Sequence, residues 1–133
     1  MNSNAVRRVL FVCIENSNRS QMAEAFARLY GGASVEPFSA GSRPSGRVNP
    51  KAIAAMRELD YDLSTHRSTS LSEVPDVEFD AVVTMGCGDA CPHVNARRRL
   101  DWNIPNPSAM GPEEFLAVRD LIGQKVRELL ATL

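Results

Sequence analysis

This chain carries no surplus of charge. Its 15 lysines and arginines face 16 aspartates and glutamates, for a formal net charge of −1. That excludes a globally basic nucleic-acid binder, though not a local basic pocket. Long apolar runs are missing too. The longest near the start covers residues 9–14, far too short to cross a bilayer or to serve as a signal-peptide core. No membrane partner is therefore expected, and a cytoplasmic location is. There is no internal repeat and no low-complexity tract, and the only basic cluster, Arg97 to Arg99, reads as a solvated turn or strand edge. Cysteine is scarce and odd in number: Cys13, Cys87 and Cys91. A cytosolic thiol is reduced at rest, so these three read as chemistry or metal binding, not as a disulfide framework.

What is present is an ordinary globular composition, 44% hydrophobic and 23% charged over 133 residues. That is room for one domain, residues 1–133, with a proper core. Residues 8–12 form a near-continuous apolar run suited to a strand buried on both faces, ending at Cys13. Ser20 opens a helical pattern in which Met22, Phe26, Leu29 and Tyr30 recur at helix spacing, and Gly31-Gly32 stops it. Residues 35–40 read as a second strand, with Pro37 suggesting an edge position. Asn49-Pro50 is a helix start, followed by a stripe of Ile53, Met56 and Leu59. Residues 64–78 are polar and irregular, with space for one short helix. Residues 80–85 form a third buried strand and residues 99–102 a short fourth. Pro112-Glu113-Glu114 opens a last helix that buries Phe115, Val118, Ile122, Val126 and Leu129. Strands alternating with helices imply a three-layer α/β/α fold around a four-stranded parallel sheet. In such folds ligands sit at the carboxyl ends of strands. Cys13 and Cys87, 74 positions apart, both fall at such ends.

Between the first strand and the first helix lies Cys13-Ile14-Glu15-Asn16-Ser17-Asn18-Arg19-Ser20. A loop of this length wraps its backbone around a tetrahedral oxyanion, with N–H groups pointing inward and the helix amino end adding positive potential. The candidate oxyanion-binding residues are therefore Ile14, Glu15, Asn16, Ser17, Asn18, Arg19 and Ser20. Arg19 grips two oxygens through its planar fork. The same field favours a thiolate, and hence a nucleophile, at Cys13. The plain alternative is a buried strand-end cysteine beside a helix-capping serine.

Residues 9–13, this loop and Arg19-Ser20-Gln21-Met22-Ala23-Glu24-Ala25-Phe26 give the chain its resemblance to the low-molecular-weight tyrosine phosphatase superfamily. More closely, it resembles the thioredoxin-coupled arsenate reductase branch. Ser39-Ala40-Gly41, Val48-Asn49-Pro50 with Ala52, and residues 80–91 extend the resemblance over nearly the whole chain. The resemblance implies an arsenate- or phosphate-type oxyanion as substrate, thioredoxin or a similar thiol as reductant, no cofactor, and a monomer. Thr84-Met85-Gly86-Cys87-Gly88-Asp89-Ala90-Cys91-Pro92 is similar to the redox loop of those reductases, with fewer residues between its cysteines. By resemblance, Cys13 attacks arsenate, Cys87 attacks the Cys13 sulfur and releases arsenite, and Cys91 then takes over the disulfide. Arg19 completes the catalytic set.

Other readings stand beside this one. A phosphatase acting on aryl phosphates needs neither Cys87 nor Cys91. A non-catalytic oxyanion-binding or redox-sensing module is a further reading. Cys87, Cys91 and His93, with His66 as a distant fourth, make a partial zinc set, and inert core residues are a further reading of both cysteines, against which the flanking Gly, Asp and Pro speak. Three departures from the resembled pattern bear on the choice. Glu15 replaces a frequent Gly and puts a carboxylate beside an anion site. Asn18 stands where a further Cys is common. Asn106 occupies the place of the Asp that acts as general acid, and an amide has no useful acidic proton. Asp101 is the nearest substitute in sequence, and no aromatic follows Pro107. Some relatives bind potassium; Asn16, Glu24 and Ser39 match those ligands, with Thr69 in place of the usual acid, which leaves potassium open.

Overall fold

The computed structural model describes residues 6–85 and 94–133. Four parallel strands, β1 (Arg7–Cys13), β2 (Val35–Gly41), β3 (Ala81–Thr84) and β4 (Arg99–Asp101), form one sheet in the order β2-β1-β3-β4. The helices are α1 (Arg19–Gly31), α2 (Pro50–Arg57) and α3 (Pro112–Leu130). The irregular stretch between α2 and β3 contains two 3-10 helices, Leu63–Thr65 and Leu71–Glu73, where the sequence suggested one short helix.

β1 is central, and its run from Val9 to Val12 is fully buried, as a strand covered on both faces requires. Alternate residues feed two cores. Val9 and Phe11, with Ala81 and Val83, face α1, α2 and α3. Leu10 and Val12, with Val82, face Phe79, Leu71, Val74, Val77, Val94 and Ala96. Among the described residues, then, one outer layer is built of three long helices and the other of a 3-10 turn and its flanking segments. β2 lies at the sheet edge, where the missing N–H of Pro37 does no harm. Asn49 caps α2, its Oδ1 accepting from the Lys51 N–H at 2.8 Å.

Two expected core stripes shift. Met22 and Phe26 are buried, but Leu29 and Tyr30 are 43% and 42% exposed. Beside them α1 buries three alanines, Ala23, Ala25 and Ala27. Tyr30 lies over Phe26 with ring centroids 5.6 Å apart, and the Arg127 guanidinium lies 4.6 Å from the Tyr30 ring centroid. Leu59 lies beyond the end of α2 and is exposed, while Ala52, Ala55 and Met56 fill the core there.

Parallel register brings the site together. Cys13 pairs with Gly41, Val12 pairs with Thr84, and the Met85 N–H donates to the Val12 carbonyl. The chain therefore leaves β3 beside the carboxyl end of β1.

Candidate functional site

The loop between β1 and α1 is held from outside. Its carbonyls at Ile14, Glu15 and Ser17 accept from the N–H groups of Arg43, Ser45 and Asn49 at 2.8, 3.0 and 3.0 Å. In trans peptides the N–H edge points opposite to the carbonyl, so these bonds turn the following amides away from the 43–49 segment. Gly41 makes the close approach possible. A Cβ there would sit 2.5 Å from the Ile14 carbonyl oxygen and 2.9 Å from the Asn16 nitrogen, both backbone atoms with no freedom to swing aside.

Asn16 braces the loop from behind. It is fully buried with φ of 50°, a left-handed conformation that Asn tolerates better than most residues. Its Oδ1 accepts from Gln21 Nε2 at 2.9 Å and from the Thr69 N–H at 2.7 Å. Its Nδ2 therefore faces Ser20 and donates to Oγ at 2.8 Å. That occupies the hydroxyl as an acceptor and leaves its hydrogen for Cys13 Sγ, 2.9 Å away. Behind Gln21 stands His66. Gln21 Nε2 donates only to oxygens, so its Oε1 accepts, and the proton on His66 sits at Nδ1, 2.9 Å away. His66 Nε2 then accepts from the Tyr61 hydroxyl at 2.6 Å. Burial pushes the His66 pKa below its ordinary 6.5, and burial likewise raises that of Tyr61.

Cys13, Ser17, Asn18, Arg19, Asn106 and Ser108 line a cavity of about 70 Å³ over the loop, with Ile14 and Glu15 at its wall. Cys13 is 3% exposed. Arg19 is anchored by one N–H to the Ile104 carbonyl at 2.9 Å. Glu15 is solvent-exposed, so water screens its charge. Ser20 and Asn16 act on this cavity from beneath it. Asn106 does reach the cavity despite lying 93 positions from Cys13. Asp101 does not line it; its Oδ1 accepts from the Thr84 hydroxyl at 2.8 Å. Ser108 is the residue that sequence reasoning missed. The Asn-Pro-Ser spacing carried a signal, since Asn side chains often accept the N–H two residues on, and Asn106 Oδ1 does so at 3.1 Å.

The potassium ligands suggested by resemblance are otherwise engaged. Glu24 accepts from the Ser39 hydroxyl on Oε1 and from the Arg28 guanidinium on Oε2, at 2.6 and 3.0 Å. Asn16 Oδ1 already holds two donors, and the Thr69 hydroxyl donates to the Arg67 carbonyl. Glu24 thus already has a guanidinium as its counter-ion. The partial zinc set loses its distant member as well, because both ring nitrogens of His66 are hydrogen-bonded. Cys87, Cys91 and His93 lie outside the described residues.

Comparison with known proteins shows the family. Residues 8–133 match the family described as low molecular weight phosphotyrosine protein phosphatase. Arsenate reductase 2 of Staphylococcus saprophyticus is 40% identical over 126 residues, covering 92% of this chain and 95% of that protein. A solved arsenate reductase in its phosphate-binding state shares 35% identity and superimposes with a TM-score of 0.88, over 96% of this chain and 98% of that one. The thioredoxin-dependent arsenate reductase of Corynebacterium glutamicum shares 32% identity with a TM-score of 0.78, over 98% of this chain and 63% of its own. The chain, with a strand-end cysteine, an anion-sized loop and a helix-borne arginine on its four-stranded parallel sheet, belongs to the low molecular weight phosphotyrosine protein phosphatase family, on the branch that carries the arsenate reductases.

Proposed function

We propose that this chain reduces arsenate to arsenite, with Cys13 as nucleophile, Cys87 and Cys91 as a disulfide relay, and a thioredoxin-like dithiol as electron donor. The observation that carries this reading is the cavity wall. Cys13 and Arg19 share it with two amides, Asn18 and Asn106, and two hydroxyls, Ser17 and Ser108, and among the described residues its one carboxylate is the exposed Glu15. A phosphate ester expels an alkoxide or phenoxide and needs an acid to protonate it. Arsenate carries its own protons and leaves water behind, so an amide at position 106 handicaps hydrolysis far more than reduction.

The steps balance. The Cys13 thiol and dihydrogen arsenate give the Cys13 thioarsenate and water. The Cys87 thiol attacks the Cys13 sulfur; the sulfur–arsenic bond breaks, its electron pair stays on arsenic, and arsenite leaves with a Cys13–Cys87 disulfide in place. Cys91 attacks Cys87, restores the Cys13 thiol, and leaves a Cys87–Cys91 disulfide for the dithiol donor to reduce. Arg19 and the loop amides hold the oxyanion while these bonds change.

Arsenite production in the presence of thioredoxin and its reductase tests the reading. Wild type is expected to turn over repeatedly, and Cys91→Ser to stop after one equivalent with a trapped Cys13–Cys87 disulfide. Cys87→Ser is expected to release no arsenite. Repeated turnover by Cys87→Ser would sink the relay.

A further inference from the structure

Asn18 is the N-terminal cap residue of α1, yet its side chain makes no capping hydrogen bond. Asn at this position ordinarily accepts from an amide of the first turn. Here the side chain is turned toward the 106–108 segment and the cavity, in a residue 4% exposed.

The direction of every hydrogen bond along that contact is fixed by one backbone group. The Ser108 N–H can only donate, and it donates to the side chain of Asn106 at 3.1 Å, so the atom there is Oδ1. The Ser108 hydroxyl lies 2.8 Å from the same Oδ1 and must spend its single hydrogen on it. That hydroxyl can then only accept from Asn18, 3.0 Å away, so the Asn18 atom facing it is Nδ2. The other end of the amide follows by elimination: Asn18 Oδ1 is the atom left over, and it is buried with no hydrogen-bond donor among the described residues. The segment is held in place from the far side, where Lys51 Nζ donates to the Ser108 and Met110 carbonyls at 3.0 and 3.4 Å.

A buried carbonyl without a donor is costly and rare in a finished structure. Beside an anion loop it wants a ligand that brings a hydrogen. We propose that Asn18, oriented by Ser108 and Asn106, makes the cavity selective for an oxyanion that still carries a proton, of the arsenate and phosphate class, over one that carries none, such as sulfate. Loop amides and Arg19 treat all tetrahedral oxyanions alike, since they only donate. The Asn18 carbonyl accepts the O–H of hydrogen arsenate or hydrogen phosphate, whereas a sulfate oxygen there meets a carbonyl oxygen with no hydrogen between them. A site built to pair with a ligand hydroxyl strongly rejects the analogue that lacks it. The inference rests on the loop being an oxyanion site and is independent of whether arsenate is reduced.

Titration calorimetry of the reduced protein with inorganic phosphate and with sulfate at neutral pH tests it. Wild type is expected to bind phosphate at least about 10-fold more tightly than sulfate. Asn18→Leu removes the acceptor and is expected to bring the two affinities within about 2-fold of each other. Ser108→Ala, at an exposed position, frees the Asn18 amide to rotate and present its N–H, so sulfate binding is expected to rise above wild type, a gain that structural damage would not produce. An unchanged phosphate preference in both variants would overturn the proposal and leave the anion loop standing. Failure of both anions to bind wild type would overturn the proposal and the oxyanion reading together.

Discussion

Asn106 shows how much chemistry one atom decides. Its Oδ1 accepts from the N–H and the hydroxyl of Ser108, so its Nδ2 is the end free to meet a ligand, and it brings a hydrogen that it cannot give up. In Asn106→Asp the same two donors would hold one carboxylate oxygen and leave the other in the place of Nδ2. A positioned acid is worth about 100- to 10,000-fold, and the gain is expected in hydrolysis of aryl phosphates with poor leaving groups. Two hydrogen bonds to the carboxylate favour its charged form, so the gain is expected to fade early as pH rises. Rates measured across leaving groups of graded pKa check this; a wild type that already hydrolyses the poor ones as fast as the variant would refute it. Residue spacing made Cys13 and Arg19 legible, because a strand, a short loop and a helix start place them without help from the rest of the chain. The orientation of Asn18 was not legible. It depends on Ser108, 90 positions away, and on the direction of hydrogens that no pattern of residue types records.

Among the elements, the strands and helix starts followed the sequence because local rules govern them: burial on both faces for β1, Asn-Pro for α2, and Pro with two acids for α3. What failed was the choice of buried residues at the ends of α1 and α2, most clearly in α1. Helical spacing grouped Leu29 and Tyr30 with Met22 and Phe26, but α1 meets α3 so closely that the Phe26 ring rests on a glycine. A Cβ at Gly123 would lie 2.9 Å from that ring. Phe26 is itself 2% exposed and cannot readily move aside. Gly123→Ala is therefore expected to overpack the α1–α3 contact and cost about 1–3 kcal/mol, read as a lower denaturant midpoint with an unchanged slope. No loss of midpoint would mean that the two helices separate without penalty.

At the scale of the whole molecule, the irregular 61–69 stretch ties its own stability to the loop. His66 lies 7% exposed in its side chain, between Tyr61 and Gln21, with Glu24 at 3.8 Å and Arg28 and Asp62 acting on it as well. Its native pKa is lowered from 6.5, chiefly by burial. Below that pH the unfolded chain takes up the proton first, so stability is full above about pH 6.5 and is lost as pH falls toward the lowered native value. Thermal unfolding midpoints across that range should decline in wild type and decline less in His66→Gln; superimposable curves would remove His66 from the account. The same residue belongs to a line of donors that runs from Tyr61 through His66, Gln21, Asn16 and Ser20 to Cys13. Every hydrogen along it points toward the sulfur, and two of its links are amides, which do not hand protons on. It is an aligned row of dipoles and not a conductor. A proton shed by Cys13 has no exit through the protein's interior by this route.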